Sequence, residues 1–206
     1  EEHGINEYLI YAASSAKDHK LVLQTVDERL ATGRVSGADL ARKLRLKATT
    51  HYSLRDYRNA AATFDKLAAQ GGLNADDLAL LGTSQIQLRD YRAATTTLER
   101  AIAAASKAGR GGNTGPMLEM LNSAYFETGN DAKRLETLHR LMAIAPKASV
   151  FKQVVDVYEK KSAGDPVVMI NLYRLGSARG LLSKEHYAKY AERALDMSSP
   201  GEAVTM

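Results

Sequence analysis

The chain has 206 residues, of which 45% are hydrophobic and 25% charged, proportions that are ordinary for a folded protein and exclude global disorder. Its net charge of +4 is mild, and without aromatic residues interleaved among Arg and Lys it does not indicate a nucleic-acid binder. The sequence has no cysteine, which excludes disulfides, thiolate nucleophiles and cysteine-ligated metals.

Apolar residues recur at helical spacing along the whole chain and only four residues are Pro, which predicts an all-α protein. No apolar run approaches the roughly 20 residues that a membrane-spanning helix needs. The helix ends are predicted to within roughly 2–4 residues. The predicted helices lie at about 4–16, 19–32, 37–53, 57–69, 75–87, 91–108, 114–127, 131–144, 148–161, 165–179 and 184–196.

The stretch "LRDYR" occurs twice, at Leu54–Arg58 and at Leu88–Arg92, which places the copies 34 residues apart. Small residues recur around it where two helices must approach closely, and large apolar residues recur four positions later on the same helical face. The stretch is therefore predicted to be the elbow between two packed helices. The residues that recur at this interval are Ala48 and Gly82, Ala60 and Ala94, and Phe64 and Leu98.

This pattern resembles the tetratricopeptide repeat, a helix–turn–helix unit of 34 residues. The resemblance implies a right-handed α-solenoid of stacked helix–turn–helix repeats with a concave groove, because no hairpin alone can bury its apolar face. We expect residues 1–206 to form a single array. Its hairpins are predicted at about 4–32, 37–69, 75–108, 114–144 and 148–179, with a truncated sixth at 184–206.

The third hairpin after the N-terminal one departs from the pattern. Asn122 stands in the small-residue position and Arg134 in the second alanine position, while Leu138 keeps the large apolar position. This hairpin is offset by 40 residues, not 34, and a glycine-rich connection supplies the extra length. We interpret the glycines at 109–115 as an inter-repeat loop, because no strand precedes them and no Lys-Ser or Lys-Thr pair follows, as a phosphate loop would require.

No arrangement of side chains typical of catalysis or metal binding is recognisable. None of the five histidines pairs with another at i+3 or i+4, and there is no Gly-x-Ser-x-Gly elbow. We therefore expect no catalytic residues, no metal site and no cofactor, and predict that the protein is not an enzyme. A ligand or metal bound among His51, Tyr52 and neighbouring acids would revive the enzyme hypothesis.

The predicted binding surface is the side of the first helices that faces the groove. Its charges are mixed, with a basic patch early and acids later, and such a surface suits a protein or peptide segment held by a few anchors. The asparagines of the family's carboxylate clamp are missing, which argues against that specialisation. The predicted site residues are Arg42, Arg45, Thr49, Tyr52, Thr83, Ile86, Gln87, Glu119, Ser123 and Phe126, followed in the next hairpin by Gln153, Val157 and Lys160. The same predicted face also includes Asp76, Ala79 and Glu127.

The sequence thus predicts a non-enzymatic interaction scaffold that binds a protein or peptide partner in its groove. The alternative is a structural module that self-assembles, with the ends of the array stacking on further repeats or on another copy as a homo-oligomer.

Two further stretches, "LMAIAPKASVFKQVVDVYEKK" and "YRLGSARGLLSKEHYAKYAERALDMSSPGEA", look like those of a group of exported proteobacterial tetratricopeptide proteins of undefined activity. This resemblance implies a bacterial protein of the periplasm, with the cytoplasm as the alternative because no signal peptide is in this chain. We interpret both ends of the chain as cut, which leaves room for a removed targeting segment in front and further repeats behind.

Overall fold

The computed structural model describes residues 2–111, 114–161 and 165–196, with side chains from residue 5 onward. These residues form eleven α-helices, each of which begins and ends within two residues of its predicted bounds. In chain order they are α1 Glu2–Ser15, α2 His19–Ala31, α3 Gly37–Ser53, α4 Tyr57–Ala69, α5 Ala75–Gln87, α6 Tyr91–Lys107, α7 Gly115–Glu127, α8 Asp131–Ile144, α9 Ala148–Lys161, α10 Pro166–Ala178 and α11 Lys184–Asp196.

Each second helix of a hairpin starts at an Asp or Asn whose side-chain oxygen accepts a hydrogen bond from a backbone N–H of the first turn. Such caps satisfy amide groups that have no partner within the helix. The repeated "LRDYR" follows this rule, because Arg55 turns the chain with φ +60° and Asp56 then caps α4. The capping residues of α2, α4, α6, α8 and α10 are Asp18, Asp56, Asp90, Asn130 and Asp165.

The chain divides after Gly111 into two compact units. Unit 1 contains α1–α6, and α3 packs on α4 as α5 packs on α6. Its core includes Ala48, Ala60 and Phe64, all fully buried as the repeat pattern predicts. Gly82 lies so close to α6 that a Cβ on it would be 2.7 Å from Cγ of Leu98. The small residue is therefore required by the packing of the two helices.

Unit 2 contains α7–α11, and successive helices pack on one another here as well. A buried cluster of this unit joins α9, α10 and α11 around the fully buried Tyr173. The Tyr173 hydroxyl donates a hydrogen bond of 3.0 Å to Glu159, and Lys189 donates to the same carboxylate at 3.2 Å. Burial pushes the pKa of Glu159 upward, but hydrogen bonds from Lys189 and Tyr173 outweigh it and hold the pKa below its usual range.

The predicted fold class, an all-α protein built from helix–turn–helix repeats, is confirmed by these hairpins. Among the helices described, none combines the length and the apolar character that crossing a bilayer requires. That the chain is one continuous array stays a prediction. The end of the predicted hairpin 184–206, from residue 197, and Gly112 and Asn113 of the glycine-rich loop lie outside the described residues.

Candidate functional site

An open cavity of about 370 Å³ lies in unit 2, where side chains of α7, α8 and α9 meet. Three of the predicted residues line it from α7, namely Ser123, Phe126 and Glu127, whose spacings of three and four positions place them on one helical face. We call this cavity the α7–α9 cavity. Its lining residues are Asn122, Ser123, Phe126, Glu127, Arg134 and Gln153.

A polar network forms the floor of this cavity. Arg134 of α8 donates through Nε to Oδ1 of Asn122 at 3.3 Å and through Nη2 to Oε1 of Gln153 at 3.2 Å. Asn122 in turn donates through Nδ2 to the same Gln153 oxygen at 2.9 Å. Three side chains from three helices thus hold one another in place, as a preorganised site requires.

Phe126 is the apolar feature of the cavity. Its side chain is 58% exposed, although it sits on a helix whose other large apolar residues are largely buried. The guanidinium carbon of Arg134 lies 4.8 Å from the centre of the ring, within the range of a cation–π interaction. The exposed ring of Phe126 therefore packs against Arg134, and Asn122 and Gln153 hold the same arginine by hydrogen bonds.

The charges at the cavity have both signs. Arg134 forms no ion pair with any acid among the described residues, and Glu127 also lines the cavity. The site therefore offers a cation, a carboxylate, amide groups and an aromatic ring. These groups can hold a polar chain by hydrogen bonds and contact an apolar side chain. Groups of three or more His, Asp or Glu side chains that could hold a metal ion are absent from the described part of the protein.

Glu119, a third predicted residue of α7, is not part of this cluster. Its carboxylate forms an exposed ion pair with Lys147 at 3.5 Å and lines a different cavity of about 310 Å³ beside Ile144. In the next hairpin, Gln153 does line the α7–α9 cavity, whereas Val157 is buried in the core and is not available for binding.

In unit 1, the predicted residue Arg45 is engaged within the fold. Its Nε lies 3.0 and 2.9 Å from the two carboxylate oxygens of Asp77, and its Nη2 donates to the Gly72 carbonyl at 2.6 Å. Asp77 is 3% exposed and also accepts from the backbone N–H of Asn74, which completes the capping box of α5. Arg45 is therefore a structural residue that joins α3 to α5. Its predicted role in binding a partner stays a prediction.

The other predicted residues of unit 1 keep surface positions of different kinds. Thr49 and Thr83 donate their hydroxyls to carbonyls of their own helices, and Arg42 pairs with Asp39 at 3.1 Å. Tyr52 contacts Tyr57 edge to face, with ring centroids 5.7 Å apart. Ile86 is half-buried and Gln87 exposed near the end of α5. A binding role for this set stays a prediction.

Two residues of the α7–α9 cavity, Asn122 and Arg134, were not predicted as site residues. Both occupy positions where the preceding repeats carry small residues, namely Gly82 and Ala94. The departure from the repeat pattern was the signal that could have identified them, because a polar side chain in a packing position needs a partner.

Comparison with known proteins identifies the class of fold. No protein-family model matches the chain, and none of the curated proteins matches it. Among solved structures, YrrB, described as a TPR protein with an unusual peptide-binding site, is 17% identical, with 96% of this chain and 89% of that chain covered and a TM-score of 0.63. A MamA protein is 16% identical, with 95% and 93% covered and a TM-score of 0.63.

A MamA from Desulfovibrio magneticus RS-1 gives a similar result, with 15% identity, 94% of this chain and 95% of that chain covered, and a TM-score of 0.61. Such similarity extends over almost the whole length of each chain, and at these identities it concerns the fold. The chain therefore has the fold of the tetratricopeptide-repeat proteins.

Proposed function

We propose that the chain is a non-enzymatic scaffold that binds a protein or peptide segment, and that the α7–α9 cavity is one of its contact points. The observation that supports this most directly is the exposed ring of Phe126, which Arg134 and the network beneath it hold in one position. Interface energy concentrates on such aromatic and arginine anchors. A fixed anchor also lowers the entropy lost on binding.

The chemistry of the cavity favours a peptide in an extended or irregular conformation. A peptide backbone presents donors and acceptors at short intervals, and the cavity presents a cation, a carboxylate and the amide of Gln153 beside an aromatic surface. The fold is shared with YrrB, whose description includes a peptide-binding site, and this supports the same class of function here.

The test is affinity capture from a bacterial envelope extract followed by mass spectrometry and titration of the captured segment as a synthetic peptide. The variant Phe126→Ala with Arg134→Glu removes the ring and reverses the cation, and should reduce affinity at least about tenfold. A matched control is Ile144→Ala, which truncates a side chain that is 44% exposed in the same unit but lines another cavity. Equal affinity of both variants would exclude the α7–α9 cavity as the binding site.

A second candidate function, self-assembly, is favoured by the surface of α1. This helix exposes four large apolar side chains, among them Tyr8 and Tyr11, each of which is 71% exposed. Large exposed apolar side chains gathered on one element are typical of an interaction face. The array would then stack on further repeats or on another copy through α1. Multi-angle light scattering of the wild-type chain and of Tyr8→Lys with Tyr11→Lys tests this, and a monomer at all concentrations would contradict it.

The compartment is also a proposal. The resemblance to exported proteobacterial repeat proteins supports a periplasmic location, where envelope proteins would be the partners. Fractionation of cells that produce the natural full-length gene product tests this, and recovery of the protein in the cytoplasmic fraction would contradict it.

A further inference from the structure

Unit 2 has a further cavity, of about 260 Å³, which shares no lining residue with the α7–α9 cavity or with the cavity beside Ile144. It lies where α8, α9 and α10 meet, and we call it the α8–α10 cavity. Its wall is mainly apolar and is built from side chains of all three helices, including Met142, Phe151, Leu172 and Leu175. None of these residues was predicted to bind anything.

The wall of this cavity is held in place by packing. Phe151 is 2% exposed, and a Cβ on Gly176 would lie 2.5 Å from its Cε1 atom. Because Gly176 has no side chain, α10 packs closely against the ring of Phe151. The backbone of α10 then blocks movement of this ring toward the helix. Leu175, by contrast, is 46% exposed and lines the cavity at the surface. The cavity is thus preformed and open to a partner.

The polar part of the lining is positively charged or neutral. It consists of the exposed side chains of Arg179, at the end of α10, and His139, on α8. No carboxylate lines the cavity, and Arg179 has no ion-pair partner among residues 5–111, 114–161 and 165–196. A ligand that complements this lining therefore carries an anionic group, which would pair with Arg179, beside an apolar group, which would contact the wall.

The shape and lining of the cavity favour a class of ligand. An open cavity between helices, with an apolar wall and a cation at its rim, suits one or two side chains of a peptide, in the manner of a helix or strand that inserts an anchor. The geometry points to a second docking site, independent of the proposed α7–α9 site, for a partner segment that carries a large apolar side chain beside a carboxylate.

The experiment is selection of a displayed random-peptide library on the intact chain, followed by titration of the selected peptides into two variants. Leu175→Lys places a charge in the apolar wall and should weaken binding about tenfold. Arg179→Glu reverses the charge at the rim and should weaken it about fivefold. The matched controls are on the same helix and outside the cavity, namely Val167→Lys, at a position that is 55% exposed, and Arg174→Glu.

Selected peptides that combine an acidic residue with a neighbouring Leu, Ile, Phe or Met, and that lose affinity only in the first two variants, would support the proposal. Peptides that bind both variants as well as the wild type, or a selection without enrichment, would overturn it. A dimer of the chain that Leu175→Lys dissociates would also overturn the proposal, because the occupant would then be a second copy. Binding of free decanoate at this cavity would overturn it as well, because the occupant would then be a small amphipathic acid. The peptides are also titrated into Phe126→Ala; those that lose affinity there and keep it in Leu175→Lys would support the α7–α9 site and overturn this one.

Discussion

The two units of the molecule use the same repeat positions in different ways. In unit 1, Gly82 and Ala94 are buried and allow α5 and α6 to pack closely, with Leu98 filling the contact. In unit 2, the matching positions hold Asn122 and Arg134, whose side chains form hydrogen bonds with each other and with a third helix. The large apolar residue is kept in both units, so the hairpin core survives the change.

A repeat protein can thus place polar side chains in the packing positions of one hairpin and still form that hairpin. The polar side chains need space and partners, and here the space opens into the α7–α9 cavity. The regular hairpins of unit 1 pack through small buried residues, whereas the irregular hairpin of unit 2 carries the cavity at which we propose binding.

The largest expected effect comes from truncating one phenylalanine in each unit. Phe64→Ala removes a fully buried ring from unit 1 and should lower the free energy of unfolding by about 4 kcal/mol, because a cavity remains. Phe126→Ala removes an exposed ring from unit 2 and should cost about 0.5 kcal/mol, the worth of an exposed cation–π contact. Urea unfolding followed by circular dichroism measures both, and equal losses would contradict the division of roles.

The next effect separates the two arginines. Arg45→Met leaves the buried carboxylate of Asp77 without its cation and should cost about 2 kcal/mol. Arg134→Met leaves Asn122 and Gln153 hydrogen-bonded to each other and should cost about 0.5 kcal/mol. Thermal unfolding of both variants provides the measurement. A large loss for Arg134→Met would mean that the polar network stabilises the fold and is not reserved for binding.

A smaller effect is expected from two glycines. Gly82→Ala forces Leu98 out of its position and should cost about 1 kcal/mol, since overpacking exceeds the gain in helix propensity. Gly115→Ala, at the start of α7, meets no atom within 4 Å and should be neutral or slightly stabilising. Differential scanning calorimetry compares them, and a stabilised Gly82→Ala would show that the helices of unit 1 can separate without loss.

The smallest effect concerns pH and unit 2 alone. Burial lowers the pKa of His186, with Lys152 and Lys189 acting in the same direction against Glu185 and Asp156. The unfolded chain therefore takes up this proton first. The stability that His186 contributes is complete above its unfolded pKa of about 6.5 and is lost as pH falls through the lower folded pKa.

Urea unfolding at a series of pH values should show this loss in the wild type and a reduced loss in His186→Gln. The matched control is His139→Gln, which removes an exposed histidine of the same unit, and an equal change in both variants would mean that the loss is not specific to His186. An unchanged pH dependence in His186→Gln would assign the titration to other groups.

The fold was predictable because its signals are local. Apolar spacing, the repeated "LRDYR" and an Asp or Asn before each second helix define the hairpins within short stretches of sequence, and the helix ends follow to within two residues. The buried positions of Ala60 and Phe64 follow from the same period. None of this needs information from distant parts of the chain.

The site was predictable only in part. The spacing placed Ser123 and Phe126 on one face of α7, and the structure brings them together, but it places Glu119 beside Lys147 in a different cavity. The sequence could not show that Arg45 is paired with Asp77, 32 residues away, because such a pair depends on how two hairpins and two side-chain conformations meet. The α8–α10 cavity depends on packing in the same way.

The capped second helices have a consequence for how the chain folds. Each hairpin carries its own start signal, and the contacts between helices run mainly from one helix to the next along the chain. Proteins dominated by such short-range contacts fold in milliseconds or faster. Nucleation can then occur at more than one hairpin and spread to its neighbours. A destabilising substitution in one hairpin is therefore expected to increase local unfolding and hydrogen exchange in that hairpin first. Slower refolding of the other hairpins should appear only after that.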